Sequence, residues 1–441
     1  MTNDMTSGKI TPILIKFTIP LVLGNIFQLL YNAADSIIVG KFVGKEALAA
    51  VGTCNPIVTL ILLFISGLCM GASVLMSMHY GAKDYDRLST QLSSTMIGGL
   101  IFSVMITIIC IVASPTFLSL MKTDSAIVQE ATVYLRIVFV GLTFTFIYNF
   151  FANVMRALGD SRSPLYFLVI SAVINIVGDL FFVVVLEWGS AGCAISTVIS
   201  EAISCLLCGV YIKIKVPILC LGKKWYCFDA KSFLQSVQYG WVSAMQQATV
   251  QLGKLGIQAM VNTMGVSVMA AFAAVNRIDD FAYTPQQNIG HAMTSFLAQN
   301  KGAGKEDRIR TGFLCGMRIE GIYGVMICIV CFFFANPLMR LFSEDDLVVT
   351  YGMDYLRLIA LMYLLPAATN GIQGYFRGIG DLKITLYSSL INMAVRVAAA
   401  ILFIFVFKLG IIALPVAYLC GWLAMLVAEL PLLIRKWRVW S

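Results

Sequence analysis

The chain contains long stretches without a single charged side chain, and this feature restricts its fold more than any other. Ala47–Met78 and Leu88–Met121 contain no Asp, Glu, Lys or Arg, and each exceeds the ~20 residues that cross a bilayer as a helix. Backbone groups in hydrocarbon must find partners within their own segment, so each stretch is expected to be helical. Only 12% of the 441 residues are charged, against about 25% in soluble domains. The chain is therefore predicted to be an all-α polytopic membrane protein.

Further segments of the same kind bring the expected number of membrane-spanning helices to twelve. Some are free of charge, such as Leu255–Asn276, and others carry one or two interior charges. Phe233–Asn262 completes the set. Prolines inside these segments, including Pro20 and Pro366, are expected to kink the helices.

The basic residues lie mainly on one side of these segments. With both termini inside, 19 Lys and Arg fall in cytoplasmic segments and five on the opposite side. Because cytoplasmic loops accumulate positive charge, both termini are predicted to be cytoplasmic. The net charge of +8 therefore reflects topology, and no nucleic-acid partner is expected.

The two halves of the chain repeat each other. A shift of 221 residues places Gly44 on Gly265 and Arg156 on Arg377, and many neighbouring residues match without a gap. The repeat predicts two six-helix lobes in parallel orientation, at residues 1–214 and 232–441, joined by a cytoplasmic linker at 215–231. Parallel repeats of this kind are typical of secondary transporters.

Polar residues inside the predicted spans of the first lobe mark a candidate site. Asp35 lies within the first span, and Asn175 and Asp179 lie one helical turn apart in the fifth, so these two share a face. Charges inside a membrane are costly and usually functional. Together the three residues predict an oxygen-rich pocket suited to H⁺ or Na⁺. The alternative is that each Asp only bonds a neighbouring helix.

The second lobe differs at the same depth, because Arg396 stands at the position equivalent to Asn175, and Gly256 at that of Asp35. An ion-paired network is expected there, formed by Lys254, Arg277, Asp279, Asp280 and Arg396. These charges either bind solute or only each other. Glu201, in the sixth span, receives no assignment.

Several runs of residues resemble a known family. These are Pro20–Gly40 in the first helix, Tyr80–Arg87 after the second, Arg156–Asp160 after the fourth and Ala274–Arg277 in the eighth. They resemble the multidrug and toxic compound extrusion family over essentially the whole chain. The resemblance implies twelve helices in two bundles around a central cavity, and antiport of organic cations or other drugs against H⁺ or Na⁺.

The resemblance also implies roles for individual residues. Asp35, Asn175 and Asp179 match the ion-coupling residues of the family, and Na⁺ would bind at the same three residues. Pro20 matches the hinge of the first helix. Two further matches to the ion-coupling site are Tyr134 and Thr197. This is the pattern of a bacterial and archaeal branch, which implies the bacterial cytoplasmic (inner) membrane. Another branch uses an acid in the seventh helix, and the corresponding Trp241–Val250 contains no carboxylate.

The expected function is secondary active efflux of a small amphipathic or cationic molecule by a monomer in the lipid bilayer. No cofactor besides the coupling ion is expected. One alternative is a flippase for a lipid-linked oligosaccharide, whose pyrophosphate Lys254, Arg277 and Arg396 would bind. The other is an intramembrane enzyme. Because the sequence lacks clustered nucleophilic or acid–base residues, catalysis is not expected.

Overall fold

The computed structural model describes residues 4–219 and 227–439, which are helical and contain no β-strand. Residues 220–226 of the predicted linker lie outside the described residues. The first half contains α1 Ile10–Ile38, α2 Lys45–Gly81, α3 Tyr85–Leu120, α4 Val128–Ala157, α5 Arg162–Asp179 and α6 Gly189–Lys215. The second half contains α7 Ala230–Val261, α8 Val266–Gly302, α9 Glu306–Phe333, α10 Ala335–Arg340, α11 Asp346–Ala360, α12 Leu364–Gly378, α13 Leu382–Ile401 and α14 Ala413–Val439.

Most of these helices are long and apolar enough to cross a membrane. Within the described residues nine helices qualify singly, and α11 with α12 forms a tenth span bent by 49°. The more polar α7 and α8 have 32 and 37 residues, so even α7 extends about 48 Å, enough for a bilayer. These elements together account for the twelve predicted spans.

The charge-free segment Leu255–Asn276 is not a span, and that prediction was wrong. α7 ends at Val261 and α8 begins at Val266, so the segment contains a turn between two helices. Gly265 in this turn has a φ of +96°, a conformation that glycine adopts without steric cost. A criterion based on charge alone cannot distinguish an uncharged turn from a membrane-spanning helix.

The internal repeat is visible in the helix boundaries. The offset of 221 residues carries α2 onto α8 at both ends. A π-helical turn follows α5 at Leu180–Val185, and another follows α13 at Leu402–Val406. The duplicated sequence therefore adopts the same local structure twice.

The repeats differ where α4 is continuous and its counterpart is broken between α11 and α12. Pro366 lies in the first turn of α12. Proline has no N–H to donate to the carbonyl four residues earlier, which belongs to Met362. The predicted kink at Pro366 is therefore a break.

The described residues divide into two compact units. The residue ranges of these units differ from those of the predicted lobes. One contains Ile19–Ala244, and the other contains Met5–Thr18 and the described residues from Met245 onward. The start of α1 thus belongs to the second unit and the first half of α7 to the first. In the second unit, the Met5 N–H donates to Gln299 Oε1 at 3.1 Å.

Aromatic and aliphatic side chains fill the core of each unit. In the first unit α4 packs against α2, α3 and α6, and Phe139 and Phe146 are fully buried. In the second unit α8 packs against α11 and α12 around Tyr355 and Tyr363.

Candidate functional site

Two carboxyl groups meet inside the first unit. Ligand atoms of Asp35 on α1, Asp179 on α5 and Cys193 on α6 all lie within 4.8 Å of one another. Asp179 is the last residue of α5 and directly precedes the π-helical turn. Such turns are frequent at functional sites. The structure therefore brings the two predicted acids together.

Several oxygen atoms of this pocket lack a hydrogen bond of good geometry. These are both carboxylate oxygens of Asp179, Oδ1 of Asp35 and Oδ1 of Asn175, all of them buried. The polar side chains nearest to Asp179 are those of Asp35, Ser196 and Cys193. A buried charge or acceptor without a partner is costly. Hard cations bind carboxylate and carbonyl oxygens, and a proton shared between two carboxyl groups removes one charge. The arrangement suits a proton or an oxygen-liganded cation.

Hydrogen bonds between α5 and α6 orient the Asn175 amide. Its Nδ2 donates to Thr197 Oγ1 at 3.2 Å, and its backbone carbonyl accepts from Ser196 Oγ at 2.7 Å. The amide oxygen is thereby left facing away from Thr197. The helices approach closely because Gly178 has no side chain: a Cβ there would lie 2.5 Å from Ser196 Oγ.

The other predicted residues of the first lobe lie around this pocket. Tyr134 is within electrostatic range of Asp35 and Asp179 and packs against the buried residues that include Val39 and Cys193. Pro20 lies inside α1, the helix that carries Asp35.

One residue of the pocket was missed by the sequence analysis, and a neighbouring one, Glu201, was left without an assignment. Cys193 stands four residues before Thr197 on α6 and therefore on the same helical face, but a small thiol in an apolar helix does not by itself mark a site. Glu201 accepts a hydrogen bond from Thr145 Oγ1 at 2.5 Å. Tyr31 lies within electrostatic range of both Glu201 and Asp35, so Glu201 borders the same polar region.

The charges predicted for the second lobe are only partly paired. Lys254 Nζ lies 3.9 Å from Asp280 Oδ1, and both side chains are about half exposed. Asp279 is within electrostatic range of Lys254 and Arg396. Arg277 is exposed, and no ion pair joins it to another described residue.

Arg396 is held by aromatic rings. Its guanidinium lies 4.0 Å from the centre of the Tyr418 ring and 5.3 Å from that of Trp422. Only 5% of Arg396 is exposed. Cation–π contacts of this kind stabilise a desolvated guanidinium, so the predicted ion-paired network is in part an aromatic one.

The repeated bundle and the buried acidic pocket define a polytopic membrane protein of the transporter class. The MatE family model matches residues 20–181 and 243–402. The chain belongs to this family.

Individual relatives match over most of the chain. The "Probable multidrug resistance protein YpnP" of Bacillus subtilis is 30% identical over 88% of this chain and 87% of its own. The "FAD transporter" of Shewanella oneidensis is 23% identical over 97% of each chain. A crystal structure of an outward-facing multidrug resistance MATE family transporter has a TM-score of 0.91 at 23% identity, covering 98% of this chain and 97% of that one. The structural likeness establishes the fold.

Proposed function

We propose that the protein exports small amphipathic or cationic molecules, drugs among them, in exchange for H⁺ or Na⁺. The observation that carries the proposal is the set of buried oxygens on Asp35, Asp179 and Asn175 that lack a hydrogen bond of good geometry. The name of the Bacillus subtilis relative, a probable multidrug resistance protein, supports the solute class. The name of the Shewanella oneidensis relative, an FAD transporter, indicates that solutes of other chemistry occur among related proteins.

In the proposed cycle, ion and solute compete for the first unit. A bound ion neutralises the Asp35–Asp179 pair, and the loss of that negative charge weakens the binding of a cationic solute. α1 then bends near Pro20, because proline has no N–H and one backbone hydrogen bond of the helix is missing there. Such exchange requires that ion and solute differ in their affinity for the two conformations.

The proposal includes an orientation and a cellular location. The protein is a monomer in the bacterial cytoplasmic membrane with both termini in the cytoplasm, which is where the excess of Lys and Arg in the loops would lie. It acts without a cofactor other than the coupling ion and without catalytic residues.

The structure gives no support to the flippase alternative. A pyrophosphate site needs cationic side chains that are available to the ligand. Lys254 is close to Asp280, and Arg396 is stacked on Tyr418. Two of the three predicted cations are thus already engaged within the protein.

The test is dye efflux from proteoliposomes under separately imposed H⁺ and Na⁺ gradients. Asp35→Asn and Asp179→Asn are each expected to abolish gradient-driven efflux while the protein remains folded. Glu344→Gln is the control, because Glu344 is exposed before α11. Full efflux by the Asp35→Asn variant would overturn the proposed coupling site.

A further inference from the structure

A second buried carboxyl group lies in the other repeat, remote in sequence from the Asp35–Asp179 pair. Glu320 stands within α9 and is 0% exposed. Neither of its carboxylate oxygens has a hydrogen-bond partner among the described residues. No Lys, Arg or His of the described chain forms an ion pair with it. A carboxylate in this setting would be both desolvated and uncompensated.

The two repeats differ at the position of this side chain. The offset of 221 residues relates Glu320 to Gly99 and Ala367 to Phe146. In the first unit, a Cβ on Gly99 would lie 2.2 Å from the Phe146 ring, so the ring occupies that position. In the second unit a small Ala replaces the ring, and a carboxylic acid replaces the glycine. The acid is therefore specific to the second repeat and has no counterpart in the first.

Two hydroxyl groups of the described residues lie within electrostatic range of Glu320. They are Tyr283 on α8 and Tyr323 on α9 itself. Tyr283 donates to Asn370 Oδ1 on α12 at 3.4 Å and also lies within range of Arg377, Arg396 and Asp279. A lone carboxyl group next to neutral hydroxyls lacks the ring of several oxygens that a hard metal cation requires.

We propose that Glu320 is a proton-binding site of the second repeat, separate from the Asp35–Asp179 pair. The physical reason is that an isolated carboxyl group, fully removed from water and without a cationic partner, is far more stable in its neutral form. The site does not depend on which solute the protein exports.

The test is chemical labelling of the full-length protein in proteoliposomes at pH 7 with dicyclohexylcarbodiimide, an apolar reagent for protonated carboxyl groups. The acid adds across one C=N bond: its oxygen bonds to the central carbon, its proton moves to nitrogen, and nothing leaves. Glu306, exposed in the first turn of the same helix, is the internal control. Because the reagent is apolar and needs the neutral acid, labelling of the buried Glu320 should exceed that of the water-exposed Glu306 by at least about tenfold.

Several outcomes decide the proposal. Labelling of the Glu320 peptide that disappears in Glu320→Gln supports it, and equal or lower labelling of Glu320 than of Glu306 overturns it. Protection by Na⁺ but not by K⁺ at constant pH would assign a metal ion instead and also overturn it. The labelling of Glu320 is measured on its own peptide. Full efflux by the Asp35→Asn variant would therefore contradict the proposed exchange and leave the result at Glu320 intact.

A stability measurement gives a second reading. Glutamine mimics the neutral acid, so the melting temperature of Glu320→Gln in detergent should stay within about 3 °C of the parent. A much larger fall would mean that the native side chain is ionised and paired, contrary to the proposal.

Discussion

The guanidinium of Arg396 lies 4.0 Å from the centre of the Tyr418 ring, and these two residues occupy the positions that Asn175 and Thr197 occupy in the first repeat. In the first repeat, the same two positions form an amide-to-hydroxyl hydrogen bond of 3.2 Å beside the two acids. The second repeat thus carries its own fixed positive charge where the first leaves amide and carboxylate oxygens free. A cation would therefore bind at the oxygens of the first repeat and be repelled by Arg396 in the second.

The aromatic contact of Arg396 predicts a specific loss of stability. Tyr418→Leu removes the ring, whereas Tyr418→Phe retains it. Because a desolvated cation–π contact contributes about 2 kcal/mol, we expect Tyr418→Leu to be less stable than Tyr418→Phe by roughly that amount. Thermal unfolding in detergent measures the difference. Equal melting temperatures would contradict a stabilising role for the ring.

Close packing at Gly178 predicts that α5 and α6 tolerate no side chain there. Gly178→Ala would push Ser196 away and displace the Asn175–Thr197 pair, costing about 1–3 kcal/mol of stability together with most ion-driven efflux. Gly52→Ala on α2 is the matched control, since nothing lies within 4 Å of a Cβ at Gly52. The control should be neutral or gain up to about 1 kcal/mol. Unchanged efflux by Gly178→Ala would show that the spacing of the two helices is not critical.

The hydroxyl of Thr145 predicts a further pair of variants. It donates to Glu201 at 2.5 Å, so Thr145→Val leaves a half-buried carboxyl group without this donor and should cost about 1 kcal/mol. Thr145→Ser keeps the hydroxyl and should cost much less. Chemical denaturation or thermal unfolding distinguishes them, and similar losses in both variants would argue against the hydrogen bond as the cause.

Asp229, which precedes α7 outside the membrane, predicts a local dependence on pH. Hydrogen bonds from the Ser232 side chain and backbone lower the pKa of this exposed carboxyl below its ordinary value. Its contribution to stability is therefore complete above the unfolded pKa of about 3.9 and is lost as the pH falls through the lowered folded value.

The measurement is amide hydrogen exchange in the first turn of α7, corrected for the intrinsic rate at each pH. Asp229→Ala should exchange faster than the parent at pH 7, and the two should converge at about pH 3 and below. A difference that persists unchanged in acid would assign the effect to something other than the ionised carboxyl group.

Part of the candidate site could be predicted from the sequence because its residues stand out locally. Asp35 is a charge inside an apolar segment, and Asn175 and Asp179 share a helical face at a spacing of four. Cys193 gives no comparable local signal, since a small thiol in an apolar helix is common. Its place beside the acids depends on how α6 packs against α5, which no short stretch of sequence contains.

The buried acids of the second unit were missed for a different reason. Spans defined by the absence of charge end at the first charged residue. One charge-free stretch begins at Gly321 and another ends at Ala428, so Glu320 and Glu429 fall just outside them. Both residues lie within helices and are 0% exposed. The criterion that finds membrane helices therefore conceals the charges at their predicted ends.

The break before α12 has a consequence for how the two copies of the repeat diverged. Pro366 stands where the first copy has Thr145, and Trp422 stands where it has Glu201. The hydrogen-bond donor and its acidic acceptor are thus both absent from the second copy. In the first copy, Thr145 Oγ1 also lies 3.1 Å from the Gly141 carbonyl oxygen, so its hydroxyl keeps an acceptor when the acid is absent. The second copy therefore lacks the counterpart of this hydrogen bond between helices, and restoring the bond would require both Thr at 366 and Glu at 422.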